Sequence, residues 1–196
     1  MSQVTASQRR VHLYLEANPN PNSLKFVTNL VLVPEGESYD FPDAESARHA
    51  PLAQELFALP HVERVFYMSN FITVTKSESV DWMEIQGDLK QHIQDYLEAE
   101  KPLIASEHWE QGNVIDENDS ETVKKIKGIL DEYIRPAVEQ DGGAISFHSF
   151  EDGVVKVQLQ GSCSGCPSAT VTLKAGIENL LKTMLPEVKE VEAEGV

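Results

Sequence analysis

The sequence predicts an α+β fold in two small domains: an N-terminal α+β module with an antiparallel sheet, then a C-terminal module of order α-β-β-α-β. Short runs of strand-forming residues pair off around turns, at 62–67 with 71–75 and at 144–150 with 154–160. A run of helical period follows each pair, from Trp82 in the first half and from Pro167 in the second. Between the halves, from Pro102 to Asp119, the periodicity lapses while Glu107, Glu110, Asp116, Glu117 and Asp119 add negative charge. These observations place the modules at 8–100 and 120–193, with 101–119 as an acidic linker.

In the first module, Val11, Leu13 and Leu15 alternate with His12, Tyr14 and Glu16, the pattern of a half-buried strand. Asn18-Pro19-Asn20-Pro21-Asn22-Ser23 breaks it, because proline removes donors and asparagine favours turns. This segment reads as an exposed turn. Leu24–Val33 is apolar with few breaks and predicts a strand pair. Pro51 opens a helix carrying Leu52, Leu56 and Leu59, which Pro60 ends. A hairpin around Met68-Ser69-Asn70 comes next. Asp81, three residues before Glu84, then caps a helix whose inner face is Trp82, Ile85, Leu89, Ile93, Tyr96 and Leu97.

The second module opens at Ser120, a favourable N-cap, with Val123, Ile126, Leu130 and Ile134 on one helix face. Pro136 kinks or ends that helix. Asp141-Gly142-Gly143 makes a turn that needs a positive φ. In the hairpin that follows, Val155, Val157 and Leu159 face inward. The helix from Pro167 carries Leu173, Ile177, Leu180, Leu181 and Met184 on one stripe, and 187–192 predicts a last strand.

Hydrophobic residues at 41% and charged ones at 24% are ordinary globular usage, which excludes a disordered or fibrous chain. A net charge of −16 opposes any phosphate backbone, so nucleic acid is not an expected partner. No apolar run reaches the ~20 residues of a membrane span, and MSQVTASQRR lacks the apolar core of a secretory signal. The expectation is a soluble cytosolic protein with no membrane partner. Neither a catalytic triad, nor a carboxylate pair, nor a glycine-rich nucleotide loop is present, so the chain does not read as an enzyme.

The chemistry lies in Cys163 and Cys166, the two cysteines of the chain, spaced C-x-x-C between a strand and a helix. Pro167 suits the first helical position, which makes Cys166 the N-cap. A helix N-terminus favours thiolate over thiol, and the flanking glycines let backbone amides approach a bound anion. Two thiolates are half of the four ligands that zinc or an iron–sulfur cubane takes. A second copy of the chain across a two-fold axis completes the set. His148 is a weaker substitute ligand, and Lys174, two helical turns on, is a candidate to offset cluster charge. A dithiol–disulfide couple and a zinc-stabilised adaptor stay open as alternatives. Against the couple, proline follows the second cysteine instead of lying between the two. The apolar stripes do not include either cysteine, so serine at 163 or 166 is expected to spare the fold.

Residues 121–193 resemble the C-terminal domain of the NifU/Nfu family of iron–sulfur carriers, through IRPAVEQDGGAI (134–145) and GSCSGCPSATVTLKAGIENLL (161–181). Residues 12–104 separately resemble the family's N-terminal domain, through NPNPNSLKF (18–26), PLAQELFALPHVERVFY (51–67) and NFITVTK (70–76). The resemblance implies that paired chains hold a 4Fe–4S cluster through Cys163 and Cys166 of each. The chains would form a homodimer on cluster binding, receive the cluster from an upstream scaffold and deliver it to apo-proteins. A 2Fe–2S form stays open, and a first strand that begins without a transit peptide points to a bacterial cytosolic member of the family.

Overall fold

The computed structural model describes residues 10–105, 119–164 and 167–195, with residues 167–170 described in their backbone alone. Among them, no helix is long and apolar enough to cross a membrane.

The first sheet has five strands: β1 (Leu13–Ala17), β2 (Ser23–Thr28), β3 (Ser38–Phe41), β4 (Val62–Met68) and β5 (Phe71–Lys76). They lie in the order β1-β2-β5-β4-β3, every pairing antiparallel. Helices α1 (Pro51–Phe57) and α2 (Trp82–Glu98) cover one face. Leu52, Ala53 and Leu56 of α1, with Leu89, Ile93, Tyr96 and Leu97 of α2, pack on Leu24, Phe26, Val65, Tyr67, Ile72 and Val74. Asp81 caps α2 by accepting from the Met83 N–H at 2.8 Å.

The strand pair expected within Leu24–Val33 is a single strand. Every residue of β2 is buried, because both faces of the sheet are covered there. The chain past Thr28 runs as a loop whose Leu32 and Val33 N–H groups donate to the Ser69 carbonyl. The sequence also gave no warning of β3, whose four residues are too few for alternation to show. The expected linker is docked at its start: Tyr96 Oη donates to the Pro102 carbonyl, Ala105 N–H donates to His49, and Leu103 and Ile104 pack on the first core. Its Trp109 lies outside the described residues.

The second module runs α3 (Glu121–Ile129), a π-helical turn (Leu130–Ile134), α4 (Arg135–Gln140), β6 (Gly143–Glu151), β7 (Val154–Gly161), α5 (Pro167–Met184) and β8 (Glu190–Gly195). Its sheet has the order β6-β7-β8, with β8 parallel to β7. Ser120 caps α3 through the Val123 N–H. Pro136 does not end the helical run: a π-helical turn precedes it, and the proline falls in the first turn of α4, where a missing N–H costs little. Ile126, Leu130, Val138, Val155, Val157, Leu159, Ile177 and Leu181 form this core. Met184, expected on the inner stripe, is 44% exposed, and Leu185 closes the core instead. Leu185 and Val188 occupy the turn, so β8 starts three residues later than expected, at Glu190.

The two modules meet on the first sheet's other face. Val27, Phe66, Met68 and Phe71, which alternate with the inward residues of β2, β4 and β5, enclose Ala144 of β6. This contact delivers the second module's loops to a row of polar side chains.

Candidate metal centre

Cys163 stands where β7 gives way to α5, on a loop fixed by glycine. Gly161 has φ +65°, and a Cβ there would lie 2.8 Å from the Gly142 carbonyl and 2.9 Å from the Phe66 ring. Gly142, at φ +80°, turns the opposing strand entry. The two turns interlock: Ser162 N–H donates to Gly142, Ser162 Oγ donates to the Asp141 carbonyl, and Ser164 N–H donates to Gly161. The Cys163 side chain turns inward, is 5% exposed and belongs to the second core. This corrects the expectation that neither cysteine is a core residue. Its sulfur lies 3.8 Å from Ser162 Oγ. Close packing against Gly143 follows, where an added Cβ would come within 2.9 Å of the sulfur.

Cys166, with Gly165, lies outside the described residues. The helix after it starts at Pro167, as the spacing predicts. His148 is not brought near. It is exposed on the bulge of β6, five residues along the strand from Gly143. Lys174 lies 3.9 Å from Glu190 of β8, an ion pair on the module's surface. Among the described residues no three His, Cys, Asp or Glu side chains converge as a metal site.

The residues that sequence reasoning missed come from the first module. Asn20, expected in an exposed turn, is 7% exposed. Its N–H donates to Asn18 Oδ1, its own Oδ1 accepts from the Asn22 N–H, and its Nδ2 donates to the Ser162 carbonyl at 3.0 Å. Thr73 Oγ1 of β5 donates to the Gly142 carbonyl at 2.7 Å. Lys25 of β2 places Nζ 3.2 and 3.3 Å from the carbonyls of Glu139 and Gln140, capping the end of α4. The same ammonium lies over the Phe71 ring and 3.4 Å from Glu16. Beside the loop, Asn20, Asn22, Arg64, Lys76 and Ser164 line an open cleft of about 670 Å³. The signal was the concentration of Asn and Lys in NPNPNSLKF, which a turn alone does not require.

Asp40 of β3 completes the contact. Its Oδ2 lies 3.3 Å from Arg64 Nη1, and the Asp40 side chain is 3% exposed. Burial raises its carboxyl from an ordinary 3.8 to about 6, opposed by the Arg64 charge and the Gly161 N–H. Between those two values the folded chain binds the extra proton and the unfolded chain does not. Asp40's contribution to stability therefore falls as pH rises through that window, by roughly 2–3 kcal/mol. Urea unfolding should show the wild type gaining on Asp40→Asn as pH drops from 7 to 4. A pH-independent difference would mean the carboxyl titrates as in water.

Residues 126–192 match the family described as the NifU-like domain, and residues 13–100 match the scaffold protein Nfu/NifU N terminal family. The mitochondrial NFU1 iron–sulfur cluster scaffold homologue of Drosophila yakuba is 40% identical over 98% of this chain and 68% of its own length. That of Drosophila persimilis is 42% identical over 94% of this chain and 66% of its own. The chain thus spans about two thirds of the length of these curated relatives. A solution structure of a NifU-like protein from Saccharomyces cerevisiae aligns at 25% identity and TM-score 0.46, covering 55% of this chain and 95% of that one. The relatives overturn the expectation of a bacterial cytosolic protein, since they are named as mitochondrial proteins of flies. With matches to both domain families in order, and about 40% identity along nearly its whole length, the chain belongs to the NifU/Nfu family of iron–sulfur cluster scaffolds, which are not enzymes.

Proposed function

We propose that two copies of this chain hold one 4Fe–4S cluster through Cys163 and Cys166 of each, accept it from an upstream scaffold and hand it to apo-proteins. The cluster is cargo here. The carrying observation is that the C-x-x-C pair lies at the junction of β7 and α5, with Cys163 on a glycine-set loop and Cys166 directly before Pro167, the first residue of α5. Two thiolates per chain leave a cubane half-ligated, and a second chain supplies the rest. The relatives' names, iron–sulfur cluster scaffold, support the cargo's identity. Residues 8–100 and 120–193 act as the two functional units, with 101–119 between them.

Iron, sulfide and native mass after anaerobic reconstitution test this reading. Roughly two irons and two sulfides per chain in a cluster-dependent dimer are expected for one shared cubane. Half that iron in the same dimer would indicate a 2Fe–2S cargo. A colourless monomer with a reversible Cys163–Cys166 disulfide, or about half a zinc per chain, would overturn it.

A further inference from the structure

For cluster binding, iron must reach the Cys163 sulfur, which is enclosed at rest. The sulfur sits in the second module's own core, but the loop that carries it is gripped by the first module. We propose that Asn20 is a positioning residue for the cluster loop, through which the first module, helped by Thr73, holds Gly161–Cys163 with the sulfur buried; release of this hold sets the rate at which Cys163 becomes available.

Asn20 Nδ2 donates to the carbonyl of Ser162, the residue directly before Cys163, in a contact that is itself buried. The amide is aimed by its other atom, since Oδ1 is fixed by the Asn22 N–H. Asn20 thus has two separable jobs, a turn and a hold. Thr73 Oγ1 grips the Gly142 carbonyl, which in turn receives the Ser162 N–H. One module therefore fixes both backbone layers of the loop. A buried peptide carbonyl that loses its donor is left unsatisfied, so the gripped conformation is favoured over the same conformation without Asn20. Carrying the sulfur clear of the core by a shift of the loop moves Ser162, and moving Ser162 breaks the Asn20 contact. Accessibility of the thiol and docking of the modules are consequently linked equilibria.

The inference rests on Cys163 being a ligand, but its test does not need a cluster. The probe is iodoacetamide, applied to full-length reduced chain carrying Cys166→Ser so that a single thiol reports. Alkylation of Cys163 should be slow in that background and about three- to tenfold faster with Asn20→Ala, the opening expected from one lost buried hydrogen bond. Asn20→Asp separates the two jobs, because its carboxylate still accepts from Asn22 but donates nothing to Ser162. It should be as fast as Asn20→Ala. Thr73→Val, close in shape and without the hydroxyl, should accelerate alkylation independently. Urea midpoints taken alongside identify any variant that has unfolded. Slow alkylation restored by Asn20→Asp would make Asn20 a turn residue only and overturn the proposal, as would unchanged rates in Asn20→Ala and Thr73→Val. Failed reconstitution with the alkylation pattern intact would remove the cargo and leave the hold standing.

Discussion

Serine in place of Cys163 is expected to reduce the iron retained after anaerobic reconstitution to background, a loss of at least about tenfold. A serine hydroxyl stays protonated where a thiolate binds iron, so one substitution removes two of the four ligands in a symmetric pair. Cys166→Ser should lose iron to the same extent. The variants differ in what else they do. Cys163 is 5% exposed among Ile145, Leu159 and Ile177, so a hydroxyl there lowers stability by about 1–2 kcal/mol. The sequence, which keeps Cys163 off the apolar stripes, predicts no such loss. Paired measurements of iron content and urea midpoint on both variants check this. A variant that kept a full cluster would rule out four-thiolate sharing, and an unshifted midpoint in Cys163→Ser would place the sulfur outside the core.

Much of this arrangement was legible because its cause is local. Alternation in 11–17 and in 154–160, Asp81 and Ser120 before apolar runs, and Pro167 after the second cysteine each act through neighbours in the chain; each yields the expected element, the first strand starting two residues late at Leu13. What escaped depends on contacts made far away in sequence. Leu24–Val33 looked like two strands because Val27 faces a second module as Phe26 faces the first core, and one sequence cannot say what covers a second face. Asn20 looked exposed for the same reason, since its partner Ser162 is 142 positions on. The cysteine spacing announced ligand chemistry, yet Cys163 is buried by the packing of its own module and the polar row that holds its loop is a product of docking. Fold class follows from periodicity; the state of the site at rest follows from topology.

Alanine at Gly143 is expected to destabilise the second module by about 3–4 kcal/mol, at the upper end for overpacking. Gly143 begins β6 opposite Gly161, and its added methyl would lie 2.5 Å from the Gln160 carbonyl and 2.9 Å from the Cys163 sulfur. The sulfur can rotate away, but the carbonyl belongs to β7 and cannot retreat without opening the β6–β7 ladder. Strain of this kind is relieved through the weaker neighbour. The sulfur should therefore be driven out of the core, and Cys163 in a Cys166→Ser background should alkylate at least about tenfold faster, even below the urea midpoint. Gly128 of α3 provides the contrast within the same module, since a Cβ there meets nothing within 4 Å. Gly128→Ala should raise stability by up to about 1 kcal/mol, through helix propensity alone, and leave the thiol's rate unchanged. Equal effects of the two alanines would mean that Gly143 does not set the position of the sulfur. A large loss at Gly143 with faster alkylation would tie this glycine to the protection of the Cys163 thiol.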